Sequence, residues 1–221
     1  MELPELTCPA PADHALIDRL ARMMGACFTE ERWTQVLLDS LGGDTSPQRR
    51  LAVSQGIMAH DFAAAAPYRG LWATPDEAGC AGAYLKSDLG DAVWGDIEAA
   101  ATAQFVSDVL TPSETVGFLA AQRTLGAVSV FDWEEERAAG RDFIHFYALG
   151  VDRARRGSGA FRRLIEPFLA YADDHGIPCY LETYTDELRR LYEHFAFHLV
   201  DVRTAPGCPL VERCMERLPA R

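Results

Sequence analysis

Residues 143–183 run through four signals without a break. Phe143–Val151 is rich in aromatic and β-forming residues, Arg155-Arg156-Gly157-Ser158-Gly159 is a Gly-rich turn, a helical stretch follows, and Pro178–Thr183 is β-forming again. A strand, turn, helix and strand in this order form a crossover unit, which makes the two strands parallel and adjacent. The helix between them carries Leu164, Ile165, Phe168, Leu169 and Ala172 on one face and ends at Gly176.

The rest of the chain is read around that unit. Asp186–Phe195 reads as a short helix, with His198–Thr204 and Leu210–Met215 as a closing strand pair around Pro206-Gly207. The first 141 residues read as mainly helical. Asp13, Thr29 and Ser46-Pro47 are helix starts, and Thr111-Pro112-Ser113-Glu114 combines a capping box with Pro in the first turn. Gly70–Ala73 and Cys80–Leu85 read as two strands joined at Asp76–Gly79. With no internal repeat and no linker, 221 residues suit one α/β (α+β) domain with a mixed sheet.

Glycines between a strand and a helix admit a ligand close to the backbone, and the first amides of the helix form an anion site. Arg153, Arg155, Arg156, Arg162 and Arg163 crowd this turn in a chain whose formal charge is −12. A phosphate or pyrophosphate explains that local exception. No Gly-Lys-Ser/Thr is present for a P-loop, and no Gly completes a dinucleotide fingerprint after Gly159.

The acidic balance argues against nucleic acid or an anionic membrane as partner and suits a small, cationic acceptor. No apolar run approaches the ~20 residues of a membrane span. Met1–Ala12 lacks a basic start and an apolar stretch, so it does not read as a signal peptide. The six cysteines form no CxxC pair, and with no export signal they read as reduced thiols of a cytoplasmic protein. His14, His60, His175 and His194 have no partners at metal-ligand spacing, and no metal is expected. Glu134-Glu135-Glu136 and Asp186-Glu187 read as solvated helix faces. Phe62, Tyr68, Trp72, Trp94 and Phe105 read as core.

Leu149-Gly150-Val151-Asp152, Arg156-Gly157-Ser158-Gly159-Ala160 and Leu191-Tyr192-Glu193-His194-Phe195-Ala196-Phe197 together resemble the acetyl-CoA signature of the GNAT acetyltransferase superfamily, over about residues 142–217. Phe161 and Ala196 stand where the pattern has a small residue and a glycine, and Thr185 where it often has Asn. The resemblance implies a mostly antiparallel sheet whose central parallel pair splays around the cofactor, flanked by helices. Residues 142–217 would form the acetyl-CoA half and residues 1–141 the acceptor side.

The resemblance also implies roles. The amides of Gly157–Phe161 (Gly157, Ser158, Gly159, Ala160, Phe161) would cradle the pyrophosphate, with Arg156 opening the loop. Leu149, Gly150 and Val151 would pair with the pantetheine arm, Gly150 as a bulge, and Thr185 is a further cofactor contact. Tyr192 would be the general acid. The base is left open between His145, whose imidazole has an ordinary pKa of ~6.5, Glu182, and water. Cys179 reads as a buried apolar residue, which argues against a covalent intermediate. The activity implied is direct N-acetylation of a small amine, in a family where homodimers are common. A non-catalytic coenzyme A or acyl-CoA binding module and a protein-interaction domain with a structural Gly-rich turn are the rival readings.

Overall fold

The computed structural model describes residues 1–129 and 133–220. Helices α1 (His14–Phe28), α2 (Arg32–Ser40) and α3 (Pro47–Ala65) precede strands β1 (Leu71–Ala73) and β2 (Gly79–Leu85). Helices α4 (Trp94–Val109), α5 (Pro112–Leu125) and α6 (Trp133–Ala138) then lead to β3 (Ile144–Val151). The chain closes with α7 (Ala160–His175), β4 (Cys179–Thr183), α8 (Asp186–Glu193), β5 (His198–Arg203) and β6 (Glu212–Arg217).

The six strands form one sheet in the order β1-β2-β3-β4-β6-β5. Its pairs are antiparallel except β3 and β4, the parallel pair that the crossover predicts. The two strands expected within the first 141 residues are β1 and β2, paired antiparallel.

Side-chain alternation sorts the core between the two faces. Trp72, Ala83, Ile144, Phe146 and Leu181 face α7. On the other face α1 and α3 cover the β1 end, while Tyr84, Phe143 and Tyr180 meet Trp94 of α4 and Trp133 of α6. A third cluster joins Leu37 and Leu38 of α2 to Phe118 and Leu125 of α5.

The β2–β3 register slips at Tyr147, where Gly82 pairs with Ala148 but Ala83 pairs with Phe146. The bulge lies at Tyr147 rather than at Gly150. Its cause is visible across the pair, because a Cβ on Gly82 would come within 2.4 Å of the Tyr147 ring. One extra residue reverses the alternation beyond it, so Leu149 packs on the α7 side and Ala148 on the α1 side. Gly150 has a different reason to be glycine: a Cβ there would stand 2.4 Å from Met24 Sδ of α1.

The expected start of α2 also moves. Thr29 ends α1, its hydroxyl donating to Ala26 O at 2.8 Å, and the cap is Glu31, which accepts from Trp33 N at 3.0 Å and Thr34 N at 2.9 Å. Asp13, Ser46 and the Thr111–Glu114 capping box act as read.

Candidate active site

Strands β3 and β4 pair only over Ile144–Phe146 and Cys179–Leu181 and then separate. Beyond Phe146 the edge of β3 facing β4 has no strand partner, and a cavity of about 1590 Å³ occupies the gap. It is lined from both faces of the sheet: by Phe161, Leu188 and Tyr192 on the α7–α8 side, and by His145, Glu182 and Trp94 on the other. At one end it reaches Arg156, Gly157 and Gly159 of the turn.

Gly157 (φ 78°) and Gly159 (φ 79°) both take the left-handed backbone that favours glycine. Gly159 caps α7 without a side chain, which leaves the first amides of the helix without a capping group. Ser158 turns back, its hydroxyl donating to Arg155 O at 2.6 Å. The aromatic ring of Phe161 leaves the turn and packs against Phe195 at 5.4 Å and Tyr192 at 6.2 Å. Its bulk therefore goes to the α8 wall of the cavity.

The five arginines are not simply poised for an anion. Arg153 and Arg156 reach Glu30 at 3.1 and 3.2 Å, Arg155 and Arg163 reach Asp76 at 3.0 and 3.3 Å, and Arg162 reaches Glu166 at 2.6 Å. Thr74 first, and then Arg155, hold the Asp76 carboxyl down at about 2. Five cations share three carboxylates, which leaves a local positive excess, and such half-exposed pairs exchange readily for a ligand phosphate.

Thr185 caps α8, accepting from Leu188 N at 3.2 Å, so its hydroxyl already has a structural task. Val151 O accepts from the Cys27 thiol at 3.2 Å, and Leu149 packs against the α7 cluster. Tyr192 is buried, and burial together with the nearby Glu31 carboxylate pushes its hydroxyl well above the ordinary range. The phenol therefore stays protonated. Cys179 is fully buried, and burial pushes its thiol up to about 12, in keeping with an inert core residue.

His145 and Glu182 meet on the face away from α7, with Nε2 to Oε2 at 3.0 Å. On the other side of the ring, Nδ1 lies 3.2 Å from Tyr84 Oη and 3.5 Å from Glu134 Oε1, and Tyr84 in turn donates to Glu134 at 3.3 Å. Trp133 Nε1 donates to the second oxygen of Glu182. Burial alone would lower the imidazole, but Glu182 and then Glu134 outweigh it and carry His145 to about 9. This corrects the expectation of an ordinary imidazole. Burial would likewise raise Glu182, but His145 and Trp133 hold it below its usual value.

Glu134 overturns the reading of its segment as a solvated face, since it is 3% exposed and locked to Tyr84. Nothing local in Glu134-Glu135-Glu136 distinguishes the first residue from the others. Its burial follows from where α6 docks on the sheet.

Ligand atoms of Glu134, His145 and Glu182 lie within 4.8 Å of one another. The two carboxylates, however, hold opposite nitrogens of one ring, and an imidazole binds a metal through only one of them. The donor set suits a shared proton better than an ion.

The cavity also contains residues that the sequence reading did not single out. Asp61 of α3 and Glu98 of α4 line its far wall near Trp94, and Glu31, Tyr184 and Glu212 line it elsewhere. Trp94 and Phe105, expected mainly as core, are cavity walls as well. Among the described residues no helix is long and apolar enough to cross a membrane.

Residues 72–197 match the family model described as the Acetyltransferase (GNAT) family. A 49-residue stretch is 43% identical to an uncharacterized N-acetyltransferase of Schizosaccharomyces pombe, covering 22% of this chain and 20% of that protein. The fold is shared with a crystal structure titled as histone acetyltransferase HPA2 and related acetyltransferase from Corynebacterium glutamicum. That match has a TM-score of 0.59 and 15% identity, over 100% of this chain and 98% of that one. Arylalkylamine N-acetyltransferase 2 of Aedes aegypti matches with a TM-score of 0.55 and 13% identity over 97% and 98%. A Drosophila melanogaster polyamine N-acetyltransferase matches with a TM-score of 0.51 and 12% identity over 96% and 98%. With 126 of its 221 residues inside the family model, the chain belongs to the GNAT acetyltransferase family.

Proposed function

We propose that residues 1–221 act as one catalytic unit that moves an acetyl group from acetyl-CoA to the amine of a small acceptor by direct attack. The observation that carries this reading is the gap between β3 and β4. It joins a Gly-rich helix start and a buried phenol on one side to a buried histidine–carboxylate pair on the other. Acetyl-CoA supplies a thioester carbonyl. The free edge of Leu149–Val151 suits the pantetheine arm as an added strand, and one of its amides suits the developing oxyanion. Arg156 and the amides from Gly157 to Phe161 suit the pyrophosphate.

His145, paired with Glu182, takes the proton that the acceptor ammonium must lose. A group of pKa about 9 is well matched to an alkylammonium of similar pKa. Tyr192, held protonated, gives its proton to the departing thiolate. Because acid and base lie on opposite faces of the sheet, the two substrates approach from opposite sides and meet in the gap. The carboxylate-rich acceptor side favours a cationic acceptor. The solved structures titled for polyamine and arylalkylamine substrates lend support to an amine of that kind.

The test is calorimetric titration with acetyl-CoA, followed by turnover on a panel of amines. Micromolar binding with coenzyme A release on amine addition supports the reading. Binding without release on any amine would leave a coenzyme A module, and no binding would favour an interaction domain.

A further inference from the structure

The acceptor side of the cavity extends beyond His145 to a wall that the transfer chemistry above does not use. Trp94, Glu98 and Thr102 of α4 line it at intervals of four residues, and Asp61 of α3 joins them from the helix packed alongside. Neither Asp61 nor Glu98 has an ion pair or a well-formed hydrogen bond among the described residues. Behind them lies a recess of about 10 Å³, room for no more than one water, so a larger partner has to come from the main cavity. Burial pushes Asp61 up to about 7, and burial followed by the Asp61 charge does the same to Glu98.

A second observation is independent of the carboxylates. Trp94 is 5% exposed, its ring stacked on Tyr84 at 4.5 Å and tilted against Tyr147 at 4.6 Å. Its indole N–H lies close enough to Glu98 to favour the ionised carboxylate, yet it is buried with no hydrogen-bond partner. A buried donor left in this state is destabilising unless the filled site completes it. A cation drawing Glu98 into its ionised, ordered form would give that N–H its acceptor.

Two carboxylates beside a buried indole N–H are a poor cage for Ca²⁺ or Mg²⁺, which take six or more oxygens, and suit an organic ammonium better. Trp94 is stacked at 4.5 Å on Tyr84, whose hydroxyl lies 3.2 Å from His145 Nδ1, so the two ends of the acceptor side are a short chain apart. We infer that Asp61 and Glu98 hold the distal ammonium of the acceptor, which makes the acceptor an alkyl diamine or polyamine rather than a monoamine. The inference rests on the amine-acetyltransferase reading and narrows it to a substrate class. One ammonium occupies the Asp61–Glu98 wall while the other loses its proton to His145.

The experiment compares putrescine with butylamine, which has the same carbon chain and no second charge, in the wild type and in Asp61→Asn and Glu98→Gln. Wild-type kcat/KM should favour putrescine by about 10–100-fold, the range of one or two charge-assisted contacts. In each variant that ratio should fall at least about tenfold. Because the ratio compares two substrates on one protein, partial misfolding does not move it. Equal rates on both amines, or a ratio that survives both substitutions, overturns the inference. If no amine is acetylated at all, the transferase reading fails by itself. Calorimetric titration of putrescine then decides the inference: binding that Glu98→Gln abolishes keeps it, and no binding to the wild type ends it.

Discussion

His145 Nε2 stands 3.0 Å from Glu182 Oε2 where the parallel strands β3 and β4 begin to part, and Glu134 closes the other side of the ring at 3.5 Å. A buried imidazole between two carboxylates is an imidazolium at neutral pH. In the proposed role of base it would work only after losing that proton, so the environment that makes it strong would also delay its use to alkaline pH.

The first prediction is therefore a pH profile. With acetyl-CoA saturating, the rate should rise with pH to a plateau along a limb near the His145 value of about 9. Glu182→Gln removes the larger favourable charge, so the limb should move at least about one unit towards the ordinary ~6.5, with a lower plateau. An unmoved limb in both Glu182→Gln and His145→Ala would assign the proton to water or another residue. The linked stability has a defined sign. The folded state holds the imidazole proton more tightly than the unfolded chain, so this contribution is complete below about pH 6.5 and is lost as pH rises through about 9.

Tyr192→Phe tests the acid. Turnover should fall about 100-fold, within the usual range for a proton donor, while the coenzyme A dissociation constant changes by less than about twofold. Unaltered turnover would return Tyr192 to a packing role against Phe197, 6.0 Å away.

Arg156→Ala tests the turn. Its guanidinium is half-exposed and shared with Glu30, so it should contribute modestly, weakening acetyl-CoA binding by about 3–10-fold at moderate salt. The loss should shrink at high ionic strength as exposed charges are screened. An effect that salt does not change would mean that the substitution acts through backbone distortion.

Ala196 occupies φ 64°, a left-handed conformation that costs an L-residue roughly 1–2 kcal/mol. Ala196→Gly should relieve part of that cost, less the extra entropy of glycine in the unfolded chain, for a net gain of about 0.5–1 kcal/mol and about 2–3 °C in Tm. A lower Tm would show that the Ala196 methyl group makes contacts that outweigh the strain.

Asp61 and Glu98 should also be visible in stability. Both carboxyls hold their protons in the folded state to about 7, well above their ordinary values. Their contribution is complete below about pH 4 and is lost as pH rises through about 7. The Tm of the double variant Asp61→Asn, Glu98→Gln should gain on the wild type by a few degrees or more as pH is raised from 5 to 8. A difference that is the same at both pH values would mean these carboxylates are solvated.

Much of the frame was legible in the residues themselves, because it depends on local chemistry. The Arg-Arg-Gly-Ser-Gly turn between two β-forming runs requires a parallel crossover, and the Thr111–Glu114 box and Ser46-Pro47 mark their helices through contacts a few residues away. The Gly-rich turn that opens α7 was legible for the same reason, as a signature within a single element. The bulge at Tyr147 was not, since it arises from a ring that needs a glycine on the neighbouring strand. Nor was the ionisation of His145, which depends on Glu134 and Glu182 brought in from other elements. Asp61 and Glu98 lie 37 residues apart on separate helices, and neither has a local sign that it faces a cavity. Hydrogen bonds and turns act over one to four residues, so the crossover and its loop follow from neighbours along the chain. Burial and charge act across whatever the fold brings together, so how the site ionises and what it can hold follow from contacts between distant elements.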